Sequence, residues 1–334
     1  MNKLDKSLLS FFKRQTPPPP KPTIDPNNPN EPPLTTIIKT LVIVYDPVMD
    51  QAAGKKLSEY MNWNKVEDLA HDFMSDILLV SGGLVRYQII ERFDVNDFPA
   101  KTDGSKYDAP TYLDVLRGVS PPYIPQWVDY HAIIDRFNIL QRVAKEEIDE
   151  VWIFNFPHAG FHESVMGGPG AFWCNTAPLK NTGESKRRFV IMGFSYERGE
   201  GEMLENMCHR AASIMEKTFE KVPEEEKLWK RFTRYNKTHP GQAAVGTVHF
   251  APNSIRDYDW NNPVPVPSEC DDWLHNFPDF KGVTREVNAT EWGNGDTRKH
   301  HIWWMNHIPK TKGRRNGIHN NWWQYIANPN NVNT

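Results

Sequence analysis

The sequence predicts an α/β fold: an open, mostly parallel sheet flanked by helices, with a loop-rich region of Trp, Asn and His packed on it. Three observations carry this. Apolar runs of strand length alternate with stretches of helical period between residues 35 and 235. The strand-like runs are apolar on both faces, as parallel strands buried between helices are. After residue 236 the chain turns to Asn, Pro, His and Trp with few periodic runs, so residues 236–334 are expected to wrap on the core, a separate small domain being the alternative.

The elements follow in order. Residues 16–34, TPPPPKPTIDPNNPNEPPL, read as an extended proline and asparagine linker. Residues 1–34 are therefore expected to be a disordered tail and spacer, with the fold beginning near Thr35. TTIIKTLVIVYDPV is a β-branched run and a first buried strand. In KVEDLAHDFMSDILLVSGG, Leu69, Phe73, Ile77 and Leu78 recur at helical spacing before a Gly-Gly stop. LVRYQIIERFDV is a second strand. APTYLDVLRG and DYHAIIDRFNILQRVAKEE are helices, DEVWIFNFP is a third strand, and RRFVIMGFSYERG is a fourth that runs straight into the helix of YERGEGEMLENMCHRAASIMEK.

Composition excludes several classes. A net charge of −3 argues against a nucleic-acid binder relying on a basic surface, and the patch of Lys310, Lys312, Arg314 and Arg315 is too short to change that. Cys174, Cys208 and Cys270 are too few for a disulfide scaffold; three reduced thiols are the simpler reading, one bridge and a free thiol the other. No window has the length of a transmembrane helix. The N-terminal LLSFF is shorter than a signal-peptide core and is followed by Lys13 and Arg14, so no export signal is expected and the cytoplasm is the default location.

In open α/β sheets ligands bind outside the carboxyl ends of the strands. That rule brings Asp46, His158, His162, Glu163, Glu197 and Arg198 toward one crevice, and these are residue types used for metal ligation and acid–base work. His158, His162 and Glu163 would bind a metal or move protons, Glu197 would be a general base, and Arg198 would hold a polar substrate group. A second candidate set lies on the helix after the fourth strand. Projected at about 100° per residue, Met203, Leu204, Met207, Cys208, Ala211, Ile214, Met215 and Phe219 fill one side. Glu202, Glu205 and His209 fall on a stripe opposite, with Glu205 and His209 four residues apart and able to share a cation. A solvated polar face is what amphipathicity alone predicts for that stripe, and a metal set requires the His-rich C-terminal region to fold over it. The two sets are expected to compete, because His209 lies roughly 15 Å along the helix from its start. His and Glu donors suit zinc better than magnesium.

Weaker signals complete the inventory. Asp257, Asp259 and Asn261 in RDYDWNN begin a calcium-loop pattern, but Asn262 stands where glycine should, so an EF-hand is rejected and calcium at an irregular site is the lesser alternative to zinc. Cys174 could be a nucleophile beside His158 or His162, though no cysteine-hydrolase signature surrounds it, and free cysteines are more often small core residues. Trp303, Trp304, Trp322 and Trp323, interleaved with Asn, His and Arg, could stack sugar rings; equally, a loop-rich region needs large aromatic anchors.

The blocks DEVWIFNFPHAGFHESVMGGPGAFWCN, RRFVIMGFSYERGEGEMLENMCHR, FTRYNK with GTVHFAPNS, and CDDW with NNWWQYI together resemble a family of uncharacterised, largely bacterial proteins, often predicted to be secreted. The resemblance spans most of the chain from about residue 36. It implies secretion, where the N-terminus suggests none, and it implies no activity or site residue. From the residues themselves the expected function is hydrolysis of a glycan or peptide, metal-assisted, at the carboxyl ends of the strands. A non-catalytic glycan-binding protein using the C-terminal Trp and Asn residues is the alternative.

Overall fold

The computed structural model describes Asp25 and residues 27–333. A five-stranded sheet forms its centre: β1 (Thr36–Tyr45), β2 (Val85–Val95), β3 (Glu150–Asn155), β4 (Ser164–Gly167) and β5 (Phe189–Ser195), in the spatial order β2-β1-β3-β5-β4. The β2-β1-β3-β5 pairings are parallel and β4 alone runs antiparallel, along β5. This is the predicted mostly parallel α/β sheet. β3 is buried at every residue and β1 from Thr40 onward, as expected of strands covered on both faces. β2 departs from that pattern: Gln88–Arg92 is exposed, because β2 is the edge strand and bulges opposite Thr40 and Leu41.

Two local expectations change. DYHAIIDRFNILQRVAKEE is two short helices, Tyr130–Arg136 and Ile139–Ala144, broken where Asn138 adopts a left-handed φ of 52°. The loop after β3 contains β4, which the sequence hid because Gly167 and Gly168 end it after four residues.

Three helices matter most. α1 (Val66–Val80) and α2 (Glu200–Thr218) pack together, and α3 (Thr297–Asn306) lies along α2. α2 and α3 approach closely at Gly201, where a Cβ would come within 2.9 Å of the Arg298 amide. Gly201 therefore admits the C-terminal region onto the helix. Arg210 anchors α2 to the sheet through a buried ion pair with Glu150 at 2.5 Å, and Glu150 also accepts from the Trp152 indole at 2.8 Å.

Described residues from 236 onward contribute to one continuous apolar core with the sheet. The chain before Thr35 is also engaged. Glu31 makes a bidentate pair with Arg314 at 2.8 and 2.9 Å, Gly313 donates its amide to the Glu31 carbonyl, and His319 meets the Pro32 carbonyl, all at the hairpin of β6 (Lys310–Arg315) and β7 (Ile318–Asn321). The expected linker thus makes contacts with the fold at Glu31 and Pro32; residues 1–24 and 26 of the expected tail lie outside the described residues. Among the described residues no helix is long and apolar enough to cross a membrane.

Candidate metal centre

The polar stripe of α2 is partly covered. Glu205 is 8 % exposed, while Glu202 and His209 are half-buried, and the loop through residues 246–260 and α3 pack over the helix there. The condition for the metal reading is met by that covering. Three donor atoms converge beneath it: His209 Nε2 and His249 Nε2 lie 3.0 Å apart, Glu205 Oε1 lies 3.2 Å from His249 Nε2, and the same oxygen lies 3.8 Å from His209 Nε2. Tetrahedral ligands on zinc, at metal distances of about 2.0–2.1 Å, stand about 3.3–3.4 Å from one another. Glu205, His209 and His249 form the one such group of three His, Cys, Asp or Glu residues among the described residues.

His249 and Glu205 are held by their neighbours. Asp257 Oδ1 lies 3.1 Å from His249 Nδ1, a contact that would keep the proton on that nitrogen and leave Nε2 its lone pair when a metal is bound. The His249 carbonyl accepts from the Trp260 indole at 3.0 Å and the Tyr258 amide at 3.2 Å, the Val248 carbonyl meets His300 Nε2 at 3.2 Å, and the Gly246 carbonyl accepts from the Trp304 indole at 3.0 Å. The tryptophans thus fasten the loop that presents His249. Tyr258 sits at a left-handed φ of 56°, donates its hydroxyl to Glu205 Oε1 at 2.9 Å and lies 3.0 Å from His249 Nε2.

The electrostatics follow from this packing. Burial alone would raise the Glu205 carboxyl, but hydrogen bonds from His209, His249 and Tyr258 hold it well below its ordinary value. His249 is raised, first by its bond to Glu205, while desolvation raises the Tyr258 hydroxyl. His301 of α3 is fully buried and neither ring nitrogen makes a hydrogen bond of good geometry; burial lowers it to about 4, so it is a neutral neighbour of the cluster.

One residue of the strand-end set joins this cluster. Glu163 Oε2 lies 4.0 Å from His209 Nε2 and accepts from Asn175 Nδ2 at 2.5 Å. Gly193 makes this possible. Its amide donates to the Glu163 carbonyl at 3.0 Å, and a Cβ there would collide with the His162 carbonyl. The two sets therefore meet at Glu163 instead of competing.

The strand-end crevice itself is present, about 430 Å³ in volume, lined by His158, Glu163, Glu197, Arg198 and Glu202 among others. Its residues do not form the expected metal set. His158 is exposed at a φ of 63°, and His162 stacks on Trp127 with ring centroids 4.2 Å apart, so the two histidines serve the loop. Glu202 faces the crevice, and His249 takes the place proposed for it beside Glu205 and His209. Asp46 lies outside the crevice: it accepts the Ser58 amide at 2.9 Å and the Ser58 hydroxyl at 2.7 Å, fixing the turn after β1.

Other expectations are corrected by burial. Trp304, Trp322 and Trp323 are at most 1 % exposed and belong to the core, so they form no sugar platform on the surface; Trp303 is half-buried against Trp292 and His307. Cys174 is fully buried and its thiol is raised by desolvation, the reverse of a nucleophile's needs. Asp259 accepts the Ile255 amide and the Asn262 side chain while Asp257 turns to His249, so the calcium-loop acids do not converge. All three cysteines are free thiols.

Sequence reasoning missed His249, Tyr258 and Asn175. Periodicity links only residues of one element, and nothing in spacing ties position 249 to a helix forty residues earlier.

Comparison with protein-family models, with curated proteins and with solved structures finds no match.

Proposed function

We propose that this chain is a metal-assisted hydrolase acting on a glycan or peptide, with Glu205, His209 and His249 as metal ligands. The observation that carries the reading is the convergence of Glu205 Oε1, His209 Nε2 and His249 Nε2 within 3.8 Å of one another. Two His and one Glu with a position left open is a donor pattern of catalytic zinc, and imidazole donors favour zinc over magnesium. Zinc bound there would supply an acidified water and an electrophile for the scissile group.

The protein's own groups divide the remaining work. Glu163 faces both the cluster and the crevice, and its carboxylate is suited to accept the proton of the attacking water. In this reading the general base is Glu163 in preference to Glu197, a choice supported by the 4.0 Å approach of Glu163 Oε2 to His209 Nε2. Asn175 fixes the orientation of that carboxylate. Tyr258 holds a hydroxyl beside Glu205 and His249, where it can donate to oxygen charge developing on the substrate. Glu197 and Arg198, exposed at the mouth of the crevice, are left to hold a polar part of the substrate.

The purified chain is expected to carry one zinc by elemental mass spectrometry, lost on chelation and in His209→Ala and His249→Ala together with hydrolysis. Glu163→Gln should keep the zinc and lose roughly 10²–10⁴ in turnover. Failure of chelated protein to take up offered zinc would overturn the assignment.

A further inference from the structure

A pocket of about 690 Å³ opens beside the cluster, walled by Phe172, Trp173, Ala212, Trp229, Val248 and Trp304. We propose that it is a specificity subsite, taking an uncharged aromatic or branched aliphatic side chain of a peptide substrate. Its place in a reaction rests on the hydrolase reading above; its binding chemistry does not.

Three observations support the assignment. The first is continuity with the centre. Ser213 in the pocket wall follows His209 by four residues, about 6 Å along α2, and Val248 adjoins His249. Asn175 joins the two sites physically, donating its amide to Ser213 Oγ at 3.1 Å and its side chain to Glu163 at 2.5 Å. A side chain seated in the pocket therefore leaves its own backbone amide close to the proposed metal and base.

The second is the chemistry of the wall. Aromatic and aliphatic side chains make up its apolar wall, and the charged groups that line it are two acids, Glu216 and Glu220, and two lysines, Lys217 and Lys227. Ser213, Thr233 and Thr247 supply only hydroxyls. Of the charged groups, Lys217 pairs with Glu220 at 2.5 Å and Lys227 with Glu224 at 3.2 Å, so both lysines are already engaged within the protein. Glu216, exposed, disfavours an acidic ligand.

The third is Trp173, 61 % exposed next to Phe172, which is only 9 % exposed. A large aromatic residue left in water at the lip of an apolar hollow gains by being covered, at roughly 25 cal/mol per Å² of apolar surface removed from water. The volume falls within the about 300–1,000 Å³ of small-ligand sites, ample for one aromatic side chain.

The test uses the full chain, loaded with zinc or chelated, titrated with N-acetyl-phenylalanine amide, N-acetyl-glutamate amide and chitotetraose and followed by ligand-observed NMR. The phenylalanine amide should bind with and without zinc, and the other two should not. Ala212→Trp, which fills the pocket, should weaken that binding at least tenfold with zinc content unchanged. Trp173→Ala, an exposed position that tolerates truncation, should weaken it at least threefold and serves if Ala212→Trp does not fold. Unchanged affinity in the folded variants, preference for the acid or the sugar, or no binding of any probe would overturn the subsite. Loss of zinc in His249→Ala with probe binding retained separates the two claims: absence of zinc in the parent protein sinks the metal reading alone.

Discussion

At the scale of single residues, the centre depends on groups standing behind the donors. Asp257 is exposed and belongs to no element, yet its carboxylate would fix the tautomer of His249 when a metal is bound. Asp257→Asn should leave the fold intact and weaken zinc binding about 10–100-fold, measurable by competition with a chelating dye. Asp272 shows the same logic used for stability. It is fully buried, which would raise its carboxyl, but the Lys281 and Gly282 amides and the Asn276 side chain hydrogen-bond to it and bring it below its usual value. A carboxyl lowered on folding stabilises fully above its unfolded pKa of about 3.9 and loses that contribution as pH falls through the folded value. Asp272→Ala should therefore cost about 1–3 kcal/mol at neutral pH, and its denaturation profile should flatten on the acid side relative to the parent chain.

At the scale of elements, α2 must hold one register, because it carries Glu205 and His209 toward the C-terminal region and Arg210 toward the sheet. Breaking the buried Arg210–Glu150 pair with Arg210→Leu should destabilise the protein by about 3–5 kcal/mol in urea unfolding, and Glu150→Leu added to it should recover much of the loss. Gly193→Ala in β5 should displace the His162 carbonyl and shift Glu163, lowering turnover with zinc still bound. Of these elements, the four parallel strands and α2 were legible in the sequence, since long apolar runs and helical spacing are local signals. β4 was not, because a four-residue strand between glycine-rich turns has no period to show. The apolar side of α2 was legible, and whether its opposite side is solvated or covered was left open, because a helix pattern records hydrophobicity and not what later folds over it.

At the scale of the molecule, the C-terminal hundred residues build the lid under which the centre forms. Their tryptophans are anchors: Trp260 and Trp304 donate indole hydrogens to the loop carrying His249, and Trp322 packs against Phe219 at the end of α2. The segment before β1 ties the same region down through Glu31 and Arg314. A chain starting at residue 35 should melt several degrees lower than the full chain, and addition of zinc should raise both melting temperatures, as any ligand of the native state does.

By itself the sequence determined the α/β class, the order of its main strands and helices, the core face of α2 and the pairing of Glu205 with His209 four residues later on one helix face, because each of these is written in the periodicity of a single element. Only the tertiary structure decided that Glu205 is buried, that His249 completes the set, that Glu163 belongs to both the crevice and the cluster, and that Trp304, Trp322 and Trp323 are core. The physical reason is common to all four. They depend on contacts between segments far apart in the chain, where packing around a shared core, rather than any local spacing of residue types, brings the groups together.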